Sequence, residues 1–163
     1  MRRARLLLGF LALAGCGLVK FDLDQDIPGQ TIQGSPIGAL LPASLFSLPL
    51  HIDVESSAKA HGAGVATSAY LKSLGFTVTM PAGDTFDFLD SISIKLAAPG
   101  LPEKEIAVLS PVPKTTTIQL QPTPNVDLLP YLKAGPTMTA TASGHLPPHD
   151  VTFDGKLVVT IKI

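Results

Sequence analysis

Residues able to do chemistry are few and scattered along this 163-residue chain. The densest group is His145-Leu-Pro-Pro-His149-Asp150, with Asp154 close behind. Two imidazoles and a carboxylate are ligand types that suit zinc or copper. Histidines four residues apart share a face only on a helix, and Pro147 and Pro148 forbid one. The expectation is a polar loop whose histidines His145 and His149 face water beside Asp150, with no metal. Asp22, Asp24 and Asp26 alternate as at the start of a calcium loop. The sixth and twelfth positions of that pattern need glycine and glutamate, and here they hold Ile27 and Gln33. An acidic, solvated face is expected instead.

Nucleophilic chemistry fares no better. His61 precedes Gly62-Ala-Gly64 and stands near several serines, but no Gly-x-Ser-x-Gly elbow is present. The glycines lack the spacing of a dinucleotide or phosphate loop. Carboxylate pairs such as Asp87 with Asp90, or Glu103 with Glu105, are too generic to assign an acid and a base. No catalytic residue and no cofactor is therefore expected; a metal-dependent hydrolase is the weakest of the functions weighed below.

Cys16 is the only cysteine, which rules out an internal disulfide and a multi-cysteine zinc site. Its surroundings explain it. Arg2, Arg3 and Arg5 precede the apolar run Leu6 to Leu13, and Ala14-Gly15 lead into Cys16. A basic stretch, a short apolar stretch and small residues are the layout of an export signal. The run falls short of the roughly 20 residues a spanning helix needs.

The sequence Leu13-Ala14-Gly15-Cys16 resembles the lipobox of bacterial lipoproteins. The resemblance covers about the first 17 residues. It implies that a diacylglyceryl group is added to the Cys16 thiol and that signal peptidase II, recognising Leu13, Ala14 and Gly15, cuts before Cys16. Two or three acyl chains would then hold the protein to a membrane, since one chain alone binds only marginally. In such lipoproteins of Gram-negative bacteria an aspartate after the cysteine favours the inner membrane. Gly17 stands there, so the resemblance implies the outer membrane for a Gram-negative source.

All three arginines precede Cys16, so a chain cut there keeps nine lysines against thirteen carboxylates. That balance and the absence of any guanidinium argue against nucleic acid as a partner. Tryptophan is absent and aromatics make up 6% of the chain, so no base-stacking platform is evident. Hydrophobic residues make up 45%, enough for a core in a single domain.

Fifteen prolines and fourteen glycines rule out long helices over most of the chain. The organisation expected is a signal peptide over 1–15, a lipidated N-terminus and tether over 16–44, and a domain over 45–163. Alternation predicts strands over Leu48 to Glu55, Leu74 to Met80, Leu89 to Leu96, Glu105 to Leu109, Thr115 to Leu120, Thr137 to Ala142 and Val151 to Ile163. Ser56 to Thr67 reads as a loop and Ala69 to Ser73 as a helical turn. Val126 to Leu132 reads as a short helix with Asp127 as its N-cap. Asp154-Gly155 reads as a hairpin turn splitting the last stretch in two. About seven or eight short strands predict an all-β, antiparallel immunoglobulin-like β-sandwich after an N-terminal signal helix.

The segment from Asp127 onward also resembles the closing part of the LEA-14/WHy β-sandwich domains. Ser143-Gly144 precedes a final long strand there. The Asn-Pro-Asn motif of those domains is missing; Pro124-Asn125 is what stands in its place. The functions that follow are an envelope lipoprotein with a structural or protein-interaction role, or one that binds a lipid or other apolar ligand between its sheets.

Overall fold

A computed structural model describes residues 19–62 and 64–163. The expected signal peptide and Cys16 lie outside the described residues. Eight strands and two short helices follow in the order β1 (Lys20–Ile32), β2 (Phe46–Pro49), α1 (Val54–Ala60), β3 (Ser68–Met80), β4 (Leu89–Ala98), β5 (Leu101–Leu109), β6 (Thr117–Pro122), α2 (Leu129–Ala134), β7 (Thr137–Gly144) and β8 (Val151–Lys162). All pairings are antiparallel, in the order β1-β8-β3-β6-β5-β4-β7-β2. The expected all-β antiparallel sandwich is what forms. One layer is β1-β8-β3-β6 and the other β5-β4-β7-β2, and the short β5–β6 ladder at Ala107↔Pro122 and Val108↔Gln121 joins them.

Period-two patterning builds each layer. In β8 Val151, Phe153, Leu157, Val159 and Ile161 are buried while the residues between them are more exposed. In β4 Leu89, Ile92, Ile94 and Leu96 are buried in the same way. The inward faces meet in an aromatic cluster. Phe153 packs against Phe46, Phe76 and Phe86 at ring-centroid distances of 5.9, 5.5 and 5.8 Å. Phe46 from β2 also meets Phe76 from β3 at 5.8 Å, so the two layers pack face to face. Edge-to-face rings fill such space well because ring edges are positive and faces negative.

The β4–β5 hairpin turns on Pro99-Gly100, with Ala98 opposite Leu101 and Gly100 at φ 77°. Proline presets the first central position and glycine supplies the positive φ at the second. Asp53 caps α1 by accepting the Ser56 N–H at 2.9 Å. Asp127 does double duty: its Oδ1 accepts the Leu129 N–H at 3.0 Å in α2 and the Ala69 N–H at 2.9 Å in β3. Tyr131 then fixes α2 to the other layer by donating to the Pro102 carbonyl at 2.7 Å.

Several expectations are corrected. The segment expected as a tether over 16–44 contains β1, thirteen residues long and paired with β8 from Lys20↔Lys162 to Ile32↔Val151. The domain therefore begins near Lys20 and not at Leu45. The expected strand over Leu48 to Glu55 stops at Pro49, and α1, capped by Asp53, runs from the end of that expected strand into the expected loop. Ala69 to Ser73 belongs to β3; a bulge between Leu71 and Ser73 interrupts the alternation there. Asp154-Gly155 does not turn. It lies inside the continuous strand β8, opposite Ile27 on one side and Phe76 on the other.

Candidate functional site

The loop carrying His145, His149 and Asp150 joins β7 to β8, and it spends its polar groups on three different partners. The His145 N–H donates to the Phe88 carbonyl at 3.0 Å, and its backbone bridges Leu40. His149 pairs through Nε2 with Asp84 Oδ2 at 2.5 Å. Asp150 Oδ1 accepts the Gly34 N–H at 2.8 Å. The three residues expected as the weak metal candidates thus tie loops together, His145 through its backbone and His149 and Asp150 through their side chains, on separate partners. Among the described residues no group of three histidines, cysteines or carboxylates is placed to hold a metal ion.

Two of the β1 aspartates, Asp22 and Asp24, pair with lysines on the outer face of the first layer. Asp22 pairs with Lys72 and accepts from Thr160 Oγ1 at 2.7 Å. Hydrogen bonding from Lys72 foremost, then Thr160, holds the Asp22 carboxyl below its usual range. Lys156 pairs with Asp24 at 2.7 Å, which raises the Lys156 ammonium above its usual value. His61 stacks on Phe21 with centroids 4.3 Å apart and donates through Nδ1–H to the Ser57 carbonyl at 2.8 Å. Each of these groups has a structural partner.

A different surface stands out once the chain is folded. The segment after β1 is bound to the β7–β8 loop by Ser35 N–H to Pro147 O at 2.7 Å and Leu146 N–H to Ala39 O at 2.7 Å. The backbones touch so closely that a Cβ on Gly34 would fall 2.2 Å from the carbonyl carbon of His149. The segment so held leaves Ile37 87% and Leu40 83% exposed. Leu40 borders a groove of about 400 Å³ with Ile32, Pro42, Leu45 and Leu146. Sequence reasoning assigned these residues to a tether. The available signal was a pair of large aliphatic residues inside a Gly/Pro-rich stretch, which a solvated linker does not need.

Among the other grooves of the described residues, two have apolar linings. One of about 300 Å³ runs along the seam where β1 and β2, the two edge strands, fail to pair, lined by Ile27, Pro28, Leu48 and Leu50. The other, of about 170 Å³, lies between α1 and the residues before β3, where Val65 meets Lys59, Lys133 and Glu55. The space between the layers is occupied by the phenylalanine cluster, whose members Phe76, Phe86, Phe88 and Phe153 are at most 2% exposed.

No family model and no curated protein matches the chain. Among solved structures it is similar in outline to the decameric BFDV capsid protein, at 12% identity and a TM-score of 0.40, over 89% of this chain and 98% of that one.

Proposed function

We propose that this protein is an envelope lipoprotein, held to a membrane by lipid on Cys16, whose β-sandwich binds another envelope protein. The lipobox-like Leu13-Ala14-Gly15-Cys16 supports the anchor. The observation that carries the binding role is the largely apolar groove bordered by exposed Leu40, with Ile37 exposed three residues earlier in the same segment. Single exposed aliphatics are ordinary, but two on one short segment whose second member borders a mostly apolar groove are the kind of surface that partners cover. The groove lies where β1 ends at Ile32, opposite Val151. Thirteen residues of strand, roughly 40 Å at ~3.3 Å per residue, separate it from the end nearest Cys16. The groove therefore points away from the proposed anchor, where a partner can reach it. The filled aromatic core favours this reading over an apolar ligand held between the layers.

Two experiments test it. Cys16→Ser should abolish incorporation of labelled fatty acid and release the protein from the membrane fraction; unchanged labelling would defeat the anchor. A photo-crosslinker at Ile37 should give a discrete adduct in intact cells that Leu40→Asp removes. A crosslinker at exposed Lys104 should not. Equal adducts at both positions would defeat the binding surface.

A further inference from the structure

The start of the described chain, its end and the turn before β3 converge at one end of the sandwich. Lys20 lies opposite Lys162, the Ile163 N–H donates to the Val19 carbonyl at 3.1 Å, and the Thr67 N–H donates to the Lys162 carbonyl at 2.9 Å. Only Gly17 and Leu18 separate Cys16 from Val19, three Cα steps with a reach of at most ~11 Å. Lipid on Cys16 would thus press this end of the domain against the headgroups instead of letting it swing on a long tether.

The chemistry of that end matches such a position. Lys20, Lys59 and Lys133 are exposed there and Lys162 is half-buried. Val65 is 77% and Val19 50% exposed. Glu55, the α1 cap Asp53 and Asp127, which accepts from the Ala69 N–H, are the carboxylates beside these lysines, and Asp22 nearby is paired with Lys72. The far end has the opposite character. Asp84, Asp87, Asp90 and Asp150 lie in or beside the β3–β4 and β7–β8 connections, with Lys114 as the lysine near them. Lysines thus outnumber free carboxylates at the end nearest Cys16, and carboxylates outnumber lysines at the other.

We infer that the end bearing Val19, Lys20, Lys59, Val65, Lys133 and Lys162 is a second membrane contact, seated on anionic phospholipid headgroups. The inference rests on the lipid-anchor reading above. Lysines within a Debye length of an anionic surface are attracted to it, while the aspartates of the far end are repelled. Exposed valines beside the lysines then meet the headgroup boundary instead of bulk water. Anchor and charge asymmetry together fix the domain upright, with the Ile37–Leu40 groove outward.

The test uses the full-length protein purified from membranes, whose one native thiol is blocked if lipid is on Cys16. A single fluorophore is placed through Val65→Cys or Ile37→Cys, and the protein is reconstituted into phosphatidylcholine vesicles with or without phosphatidylglycerol. A headgroup-attached quencher reads proximity, and mass spectrometry reads lipid on Cys16. We expect quenching at position 65 and none at 37 when phosphatidylglycerol is present. Lys20→Glu/Lys59→Glu/Lys133→Glu, all exposed positions, should lose the quenching at 65 while still floating with the vesicles. Equal quenching at 65 and 37 in lipidated protein overturns the inference and leaves the anchor standing. Quenching at 65 that ignores phosphatidylglycerol and the lysine changes overturns it as well, since the lysines would then contribute nothing. A protein without lipid on Cys16 overturns both readings.

Discussion

At the scale of single residues, Gly155 shows how a position is chosen by its neighbour. It lies on the inward face of β8, and a Cβ there would sit 2.7 Å from Cδ1 and Cε1 of Phe76 and 3.1 Å from Cδ1 of Ile27. The Phe76 ring is 1% exposed and wedged between Phe46 and Phe153, so it has nowhere to go. An aromatic laid over a strand glycine covers the backbone that glycine leaves bare. Gly155→Ala is expected to cost about 1–3 kcal/mol through overpacking, measured by urea unfolding. Phe76→Leu in the same chain should recover part of that loss, whereas additive losses would mean that the ring is not the obstacle. Asp53 offers a test of the opposite kind, in solvent. Its carboxyl is held below the ordinary value of 3.8, by the Ser56 side chain first and the Ser56 N–H second. A depressed carboxyl stabilises the fold above its unfolded value, and that contribution is lost as pH falls through the depressed folded value. Amide exchange over Val54–Ala60 should therefore quicken, beyond the intrinsic pH effect, on acidification below about pH 4. In Asp53→Asn, which keeps an acceptor oxygen but cannot titrate, that extra step should vanish.

At the scale of elements, the central strand is β8, flanked by β1 and β3 along almost its whole length. Removing residues 157–163 would take Leu157, Val159 and Ile161 out of the core and strip both neighbours of their ladder. Fully burying such side chains contributes roughly 1.5–3 kcal/mol each, so the loss rivals the roughly 5–15 kcal/mol of a whole domain. Circular dichroism of a chain ending at Lys156 should show no cooperative melt. A chain beginning at Gln33 should fail in the same way, because β1 contributes buried Phe21, Ile27 and Ile32. A cooperative melt of the second chain would restore the idea of a dispensable tether. The sequence made β4 and the second half of β3 legible because their apolar residues recur every two positions. It left β1 legible as at most a short strand at Phe21 and Leu23 inside a tether, because Asp22, Asp24 and Asp26 read as an acidic solvated face when the lysine partners of Asp22 and Asp24, Lys72 and Lys156, are 50 and more than 100 residues away. Asp154-Gly155 was misread for a related reason. The pair is a turn signal locally, and only Phe76, distant in sequence, explains the glycine otherwise. The same non-locality hid the Ile37–Leu40 groove, whose shape depends on Leu146 and on Gly34 lying against His149. The histidine loop was legible as a loop, since its two prolines argue against a helix, but its bonds to Asp84 and Gly34 were not.

At the scale of the molecule, the decisive question is whether the space between the layers is a core or a binding cavity, since the two lead to different functions. Phe153 is the hub of that space, touching Phe46 from β2, Phe76 from β3 and Phe86 from the segment before β4. It draws rings from both layers onto one point, and it is 2% exposed. If this is packed core, the intact protein has no room for an apolar guest, and neither benzene nor a fatty acid should raise its melting temperature. Phe153→Ala should then destabilise by about 3–5 kcal/mol, the cost of lost transfer energy plus a cavity that rigid neighbouring rings cannot close. An apolar cavity of that origin stays dry and accepts a small aromatic. Benzene should therefore raise the melting temperature of Phe153→Ala while leaving the parent unchanged, because a ligand that binds only the folded state stabilises it by mass action. The reverse pattern, with a fatty acid stabilising the parent and Phe153→Ala costing little, would mean that the rings part to admit a ligand. The groove at Ile37 and Leu40 would then yield its place to a pocket between the sheets.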